Sequence, residues 1–220
     1  MLGFLVFPFI ISAFVAVSDS RDVLIPQVST NSILAYSDNT HYAGSNRDFP
    51  ATVIIKITQV SQTTIGFDYS SERALRKTHS SLTLDRKTLS LSPSGSAFAP
   101  FSFTRDFFGD PPRDFAPGKS WTIEMPRSVL GEKGTLTVRV VSLNQATSDC
   151  TLGLQYASTS QTDTKLGDKV VEGTLRRESR GTVTIHRGVI TEMRVHGVDR
   201  ESFPGQSEAT VYFERVRKLK

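Results

Sequence analysis

The chain lacks most of the residue patterns that usually announce a chemistry. One cysteine in 220 residues excludes an internal disulfide, so the fold has to rest on an ordinary core. Cys150 heads the alternating stretch Cys150-Thr151-Leu152-Gly153-Leu154-Gln155-Tyr156, where a thiol serves as a small buried hydrophobe. The four histidines, His41, His79, His186 and His196, show no His-x-x-x-His spacing and no neighbouring cysteine, so no metal site is expected. Neither Gly-x-Ser-x-Gly nor Ser-x-x-Lys occurs, and no cofactor motif is present. A catalytic triad is defined by geometry rather than spacing, so a hydrolase with a motif-less active site stays open as an alternative. No window of a dozen residues carries a helical stripe; short helical turns are expected only near Glu72 to Lys77 and Pro126 to Leu130.

Charge is missing from the first 18 residues. Leu2 to Val17 form an apolar run of signal-peptide length, shorter than the roughly 20 residues that span a bilayer. Ala16 and Ser18 place small side chains before a cut at Asp19, although no Lys or Arg precedes the run. The expectation is an exported protein, periplasmic or extracellular and not transmembrane after cleavage, with a retained anchor as the alternative. No cysteine follows the run, which removes the lipidation site of a bacterial lipoprotein.

Formal net charge is +4, and its excess sits late: Lys165 to Lys220 hold twelve Lys and Arg against eight Asp and Glu. Most of these alternate with apolar residues, as on a solvated strand face. Only the tail Arg215-Val216-Arg217-Lys218-Leu219-Lys220 reads as a basic cluster, a candidate for contact with anionic lipid or a polyanion. No nucleic-acid partner is expected of an exported chain.

What the sequence has in abundance is period-two alternation of Val, Ile, Thr and aromatics, the requirement of a strand with one buried face. Val53, Ile55 and Ile57 alternate with Thr52, Ile54 and Lys56; Leu136, Val138 and Val140 with Thr135, Thr137 and Arg139; Val183 and Ile185 with Thr182, Thr184 and His186; Val211 and Phe213 with Thr210, Tyr212 and Glu214. His186 falls at a tight hairpin bend before Gly188. Three stretches recur in the same order: Ala51 to Ile57 matches Gly134 to Val140, Thr64 to Ser70 matches Thr151 to Ala157, and Leu82 to Leu89 matches Val183 to Ile190. The expected fold is all-β and antiparallel, about nine to eleven strands, in two related halves forming a curved sheet, half-barrel or barrel, with two packed sheets as the alternative. The organisation is a signal peptide over 1–18, an N-terminal extension over 19–31, a first β repeat over 32–91, a Pro- and Phe-rich linker over 92–117, and a second β repeat with closing strand over 118–220.

A linker of that length is uncommon in a compact domain unless it is functional or pinned down. It carries Phe98, Phe101, Phe103, Phe107, Phe108 and Phe115, so it is expected to lie across the sheet as a lid or plug. Phe101, Phe103, Phe107, Phe108, Phe115 and Trp121 are accordingly the candidate ligand contacts. Asp106, Asp110 and Asp114 recur every fourth residue around Gly109, but they miss the EF-hand pattern and have Arg105 and Arg113 beside them, which argues against calcium. Arg-Asp-Phe occurs at Arg47 to Phe49, Arg105 to Phe107 and Arg113 to Phe115, either as a rim around a ligand opening or, as preferred here, as aromatic loop anchors with local Arg–Asp pairs.

Pro117-Gly118-Lys119-Ser120-Trp121 leads into Thr122-Ile123-Glu124-Met125, and Thr182-Val183-Thr184-Ile185-His186-Arg187-Gly188-Val189-Ile190 follows later. Over Ala116 to Met193 this resembles a group of exported bacterial proteins in which a Pro/Val-Gly-Asp-x-Trp step opens a β-sheet region; Lys119 stands where Asp is commoner. The resemblance implies export and β-structure and no mechanism. The expected function is a non-catalytic exported binding or structural protein, its partner a hydrophobic small molecule or an envelope component. A partner-binding surface module using an exposed edge strand such as Glu208 to Val216 is a further alternative.

Overall fold

A computed structural model describes residues 19–44, 48–73, 76–93, 101–125, 134–166 and 169–220. The apolar leader, Phe98 and the turn expected at Pro126 to Leu130 lie outside the described residues.

The alternating stretches form strands β1 (Ile33–Tyr42), β2 (Asp48–Val60), β3 (Thr64–Arg73), β4 (Arg76–Asp85) and β5 (Leu91–Ser92), then one helical turn α1 (Arg105–Phe108). They continue as β6 (Ser120–Met125), β7 (Gly134–Asn144), β8 (Asp149–Leu166), β9 (Lys169–His186), β10 (Val189–Ser202) and β11 (Ala209–Leu219). All eleven belong to one antiparallel sheet in the order β5-β4-β3-β2-β1-β11-β10-β9-β8-β7-β6. The sheet is open, so the closed-barrel and two-sheet forms of the expectation do not hold. Its edges are the two-residue β5 and the six-residue β6, and short edge strands of this kind limit unwanted pairing.

Two local expectations need correction. Glu72 and Lys77 are not in a helical turn: they face each other across the β3–β4 ladder as an ion pair at 3.4 Å. Strand β11 is not an edge. It pairs with β1 on one side and β10 on the other, and so joins the halves at the centre of the sheet.

Direct partners in an antiparallel ladder point to the same face, so side chains can be followed across the sheet. One row runs Ala51, Asp38, Arg217, Met193, Val183, Leu152, Val140 from β2 to β7. The apolar members of this face form two core clusters. Tyr36, Ile55, Ile57, Phe67 and Leu84 belong to the first-half cluster, and Val138, Val140, Leu152, Val183 and Ile190 to the second.

The ladder registers of the halves correspond. Ile57, Phe67 and Leu82 form a row in β2–β4, and Val140, Leu152 and Val183 form one in β7–β9. A register shift follows each row's first member, between Ile57 and Gln59 and between Val140 and Ser142. The extra residue of such a bulge turns the strand and strengthens its twist. This corrects the middle sequence match by two residues: Phe67 takes the ladder position of Leu152, so Thr64 corresponds to Asp149 rather than Thr151.

The sheet order also explains the linker's length. It leaves one edge at β5 and must reach the other at β6, ten gaps of about 4.8 Å or roughly 48 Å. The residues from Ser92 to Ser120 reach about 90 Å when extended, so the linker crosses the core face with slack enough for α1. It is tied down on the way: Phe101 O accepts Ile190 N–H at 2.7 Å, Leu89 O accepts Arg105 N–H at 2.7 Å, and Ser102 bridges Val189. The left-handed Gly109 (φ +73°) ends α1 where a Cβ would lie 2.1 Å from Ile123. A 3₁₀ turn at Ser20–Leu24 covers the second cluster with Val23 and Leu24, and Gln27 N–H reaches Arg187 O at 2.9 Å.

Candidate binding site

The phenylalanines singled out in the sequence are largely interior. Phe101, Phe103, Phe108 and Phe115 are buried, while Phe107 and Trp121 are half-buried. The linker distributes them to opposite sides: Phe101 packs edge-on against Phe67 in the first cluster, with centroids 4.8 Å apart. Phe103 stacks on Phe108 at 5.1 Å in the second, where Trp121 lies 6.4 Å from Phe103 and 6.2 Å from Phe115. The indole N–H of Trp121 donates to Phe108 O at 2.6 Å. These rings fill the space between linker and sheet.

The loop aspartates are each engaged separately. Asp106 accepts the Leu91 N–H at 2.7 Å, Asp110 pairs with Arg105 at 2.5 Å, and Asp114 pairs with Lys119. The Arg–Asp pairs expected inside the Arg-Asp-Phe motifs therefore do not form at Asp106 or Asp114, because better-placed donors lie elsewhere. No group of metal-binding side chains is found among the described residues. His41 and His186 contact Asp48 and Asp149 at 2.9 and 2.6 Å at exposed hairpin ends. Burial pushes the Cys150 thiol up to about 12, which suits a core residue.

The feature that sequence reasoning missed lies on β1 and β11, between the two apolar clusters. The tail read as a basic surface cluster is split by strand alternation: Lys218 is exposed, whereas Arg215 and Arg217 point to the core face. Arg217 is 1% exposed and Asp38 4%. Asp38 accepts two hydrogen bonds from Arg215, at 2.9 and 2.6 Å, and one from Arg217 at 2.5 Å. The Arg217 guanidinium carbon stands 6.0 Å from the Tyr36 ring centroid, and its Nε has no hydrogen-bond partner. The inward set Val211, Phe213, Arg215, Arg217, Leu219 follows from continuing the alternation already visible in Val211 and Phe213. A basic residue at an inward position was the available signal.

The electrostatics are those of a crowded, dry site. Burial would raise the Asp38 carboxyl, but the Arg215 hydrogen bond and the charges of both arginines hold it at about 2. Burial also works against Arg215, whose bonds and attraction to Asp38 nevertheless raise its pKa. For Arg217 burial wins, and its pKa is lowered despite Asp38. Burial raises the Tyr36 hydroxyl as well. Two cations thus share one anion, with Arg217 and Asp38 out of reach of water and Arg215 partly exposed.

From this seam the core face continues towards the β1–β2 and β10–β11 hairpin ends with a change of character. Thr40 and Arg215 are followed by Tyr42 opposite Phe213, their rings 6.2 Å apart, and Tyr42 meets Phe49 edge-on at 5.6 Å. Phe49 is 41% and Val211 40% exposed on this otherwise core-forming face. Arg177 lies 5.9 Å from the Phe213 centroid and pairs with Asp199 at 2.6 Å. A shallow, half-open depression of about 290 Å³ lies mainly on the opposite face, around Thr52, Ile54, Ser70 and His79.

Among the described residues no helix is long and apolar enough to cross a membrane. No protein-family model matches the chain, and no curated protein matches it either.

Proposed function

We propose that this is an exported, non-catalytic binding protein that carries a hydrophobic or amphipathic small molecule, such as an envelope component, on the core face of its sheet. The observation that carries the proposal is the apolar stretch of Tyr42, Phe49, Phe213 and Val211, three of them aromatic, which continues the core face beyond the seam and is partly open to solvent. Half-exposed aromatic and apolar side chains beside a few placed polar groups make up the usual lining of a small-molecule site. In this proposal the linker takes part through Phe101, whose carbonyl accepts the Tyr36 hydroxyl at 3.4 Å beside the seam, and its other phenylalanines hold the cover in place. Internal duplication belongs to the same proposal: it is supported by matching ladder rows and by a bulge at the same point of each half.

Native mass spectrometry of protein purified from its own source tests carriage. A retained lipid-sized ligand is the expected result, released by Phe49→Asp or Phe213→Asp. An empty protein that cleaves an ester or glycoside panel would replace carriage with hydrolysis.

A further inference from the structure

The geometry points to the Asp38–Arg215–Arg217 seam as an oxyanion subsite that takes the carboxylate or phosphate head of the carried molecule. The inference builds on the carriage proposal by specifying the ligand's polar end.

Charge count is the first ground. Asp38 can neutralise one arginine, and its Oδ2 already accepts from both. The second positive charge lacks a counter-charge within this cluster although Arg217 is almost wholly buried. Burying an uncompensated charge is costly, and an additional anion would offset that cost.

Hydrogen-bonding capacity is the second ground. Arg217 Nε is an unpartnered donor in a buried side chain. Guanidinium groups pair with carboxylate and phosphate through planar, charge-assisted bonds that become stronger where water is scarce. Tyr36 stands against Arg217 and limits its choice of direction.

Position is the third. The Arg215 side chain is 29% exposed, so the seam reaches solvent at this arginine. The next inward pair along the strands is Tyr42 and Phe213, where the aromatic stretch begins. An acid with an apolar tail would meet cationic donors at one end and aromatic rings along the other.

The decisive measurement is calorimetric titration of the full, lipid-stripped chain with dodecanoate, dodecyl phosphate and dodecan-1-ol, with inorganic phosphate as a separate probe. Wild-type protein should bind one of the charged amphiphiles about tenfold or more tightly than the alcohol, as expected for charge-assisted bonds in a desolvated site. Arg217→Met should keep the alcohol's affinity and lose that preference. It leaves Asp38 paired with Arg215 and removes the excess charge, so its melting temperature should not fall. The wild-type comparison decides the question even if this variant fails to fold.

Equal affinities in wild type, or a preference that survives in Arg217→Met, would overturn the subsite and leave carriage standing. Failure of all three amphiphiles would overturn carriage and the head-group assignment together. Stabilisation by inorganic phosphate in wild type but not in Arg217→Met, with no amphiphile bound, would support an oxyanion site while removing carriage.

Discussion

The two halves build similar ladders but fill them by opposite means. In the first, large side chains stand on the sheet, with Ile57, Phe67 and Leu82 in one row, and among the described residues the linker contributes one buried phenylalanine, Phe101. In the second, the corresponding row is Val140, Leu152 and Val183, and Cys150 occupies the place of Ile65. There the linker contributes Phe103, Phe108 and Phe115, and the N-terminal turn adds Val23 and Leu24. Protein interiors are close-packed, so smaller side chains on the sheet go with a bulkier cover. The comparison teaches that a covering segment and the face it covers have to be read together: neither explains its residues alone.

The largest expected effect breaks that comparison most directly. Phe101→Ala and Phe108→Ala should each cost about 3–5 kcal/mol in denaturant unfolding, the usual range for a buried phenylalanine. Hydrogen exchange should place the loss in β1–β4 for the first and β6–β10 for the second. Because the rings belong to different clusters, the double mutant should be additive; a coupling above about 1 kcal/mol would mean that the halves share one core.

The seam gives the next effect, and it should touch both halves at once. The Asp38 carboxyl lies at about 2 when folded against a reference value of 3.8. A depressed carboxylate stabilises the fold above its unfolded pKa, and that contribution is lost as pH falls through the folded pKa. About 2 kcal/mol should therefore disappear between roughly pH 4 and pH 2. Unfolding midpoints measured across this window should show the slope in wild type and lack it in Asp38→Asn. The other lowered carboxylates, including Asp85, Asp114 and Asp149, lie at the solvent-facing surface, partly or fully exposed, and should add little.

Smaller effects sharpen the contrast on the second side. Trp121→Phe removes the indole bond to Phe108 O and should cost about 1 kcal/mol, detected as faster exchange in β6 and β7 only. Cys150 should resist thiol reagents in the native state and label at the rate at which its cluster opens. Cys150→Val should change stability by less than about 1 kcal/mol.

Most strands were legible because one buried face imposes a period of two, and Val53 to Ile57 or Leu136 to Val140 satisfy it with apolar residues alone. Arg215 and Arg217 satisfy the same period with the wrong polarity. Read by composition they belong to a solvated tail; read by position they belong inside. The partners of β11 were not legible, because the local pattern of a strand does not say which strands will flank it. The two-residue slip of the middle match has a similar cause: Thr64 to Ser70 and Thr151 to Ala157 look alike by residue type. Only the bulges after Ile57 and Val140 fix their ladder positions. The phenylalanines signalled correctly that the linker is pinned, but their spacing gave no hint that Phe101 and Phe103 serve different clusters.

The central place of β11 also sets a timetable for the molecule. Among the described strands it follows the other ten in chain order, so β1 and β10 remain without their shared neighbour until it has been made. Each half can form its hairpins early, but the joint between them waits for Ala209–Leu219. Contacts such as Tyr36 with Leu219 span nearly the whole chain, and such distant pairings are slow to form. Before that moment the chain is two sheets with open inner edges, a state vulnerable to misassembly. Removal of β11 should therefore leave two unjoined sheets with exposed edges at β1 and β10.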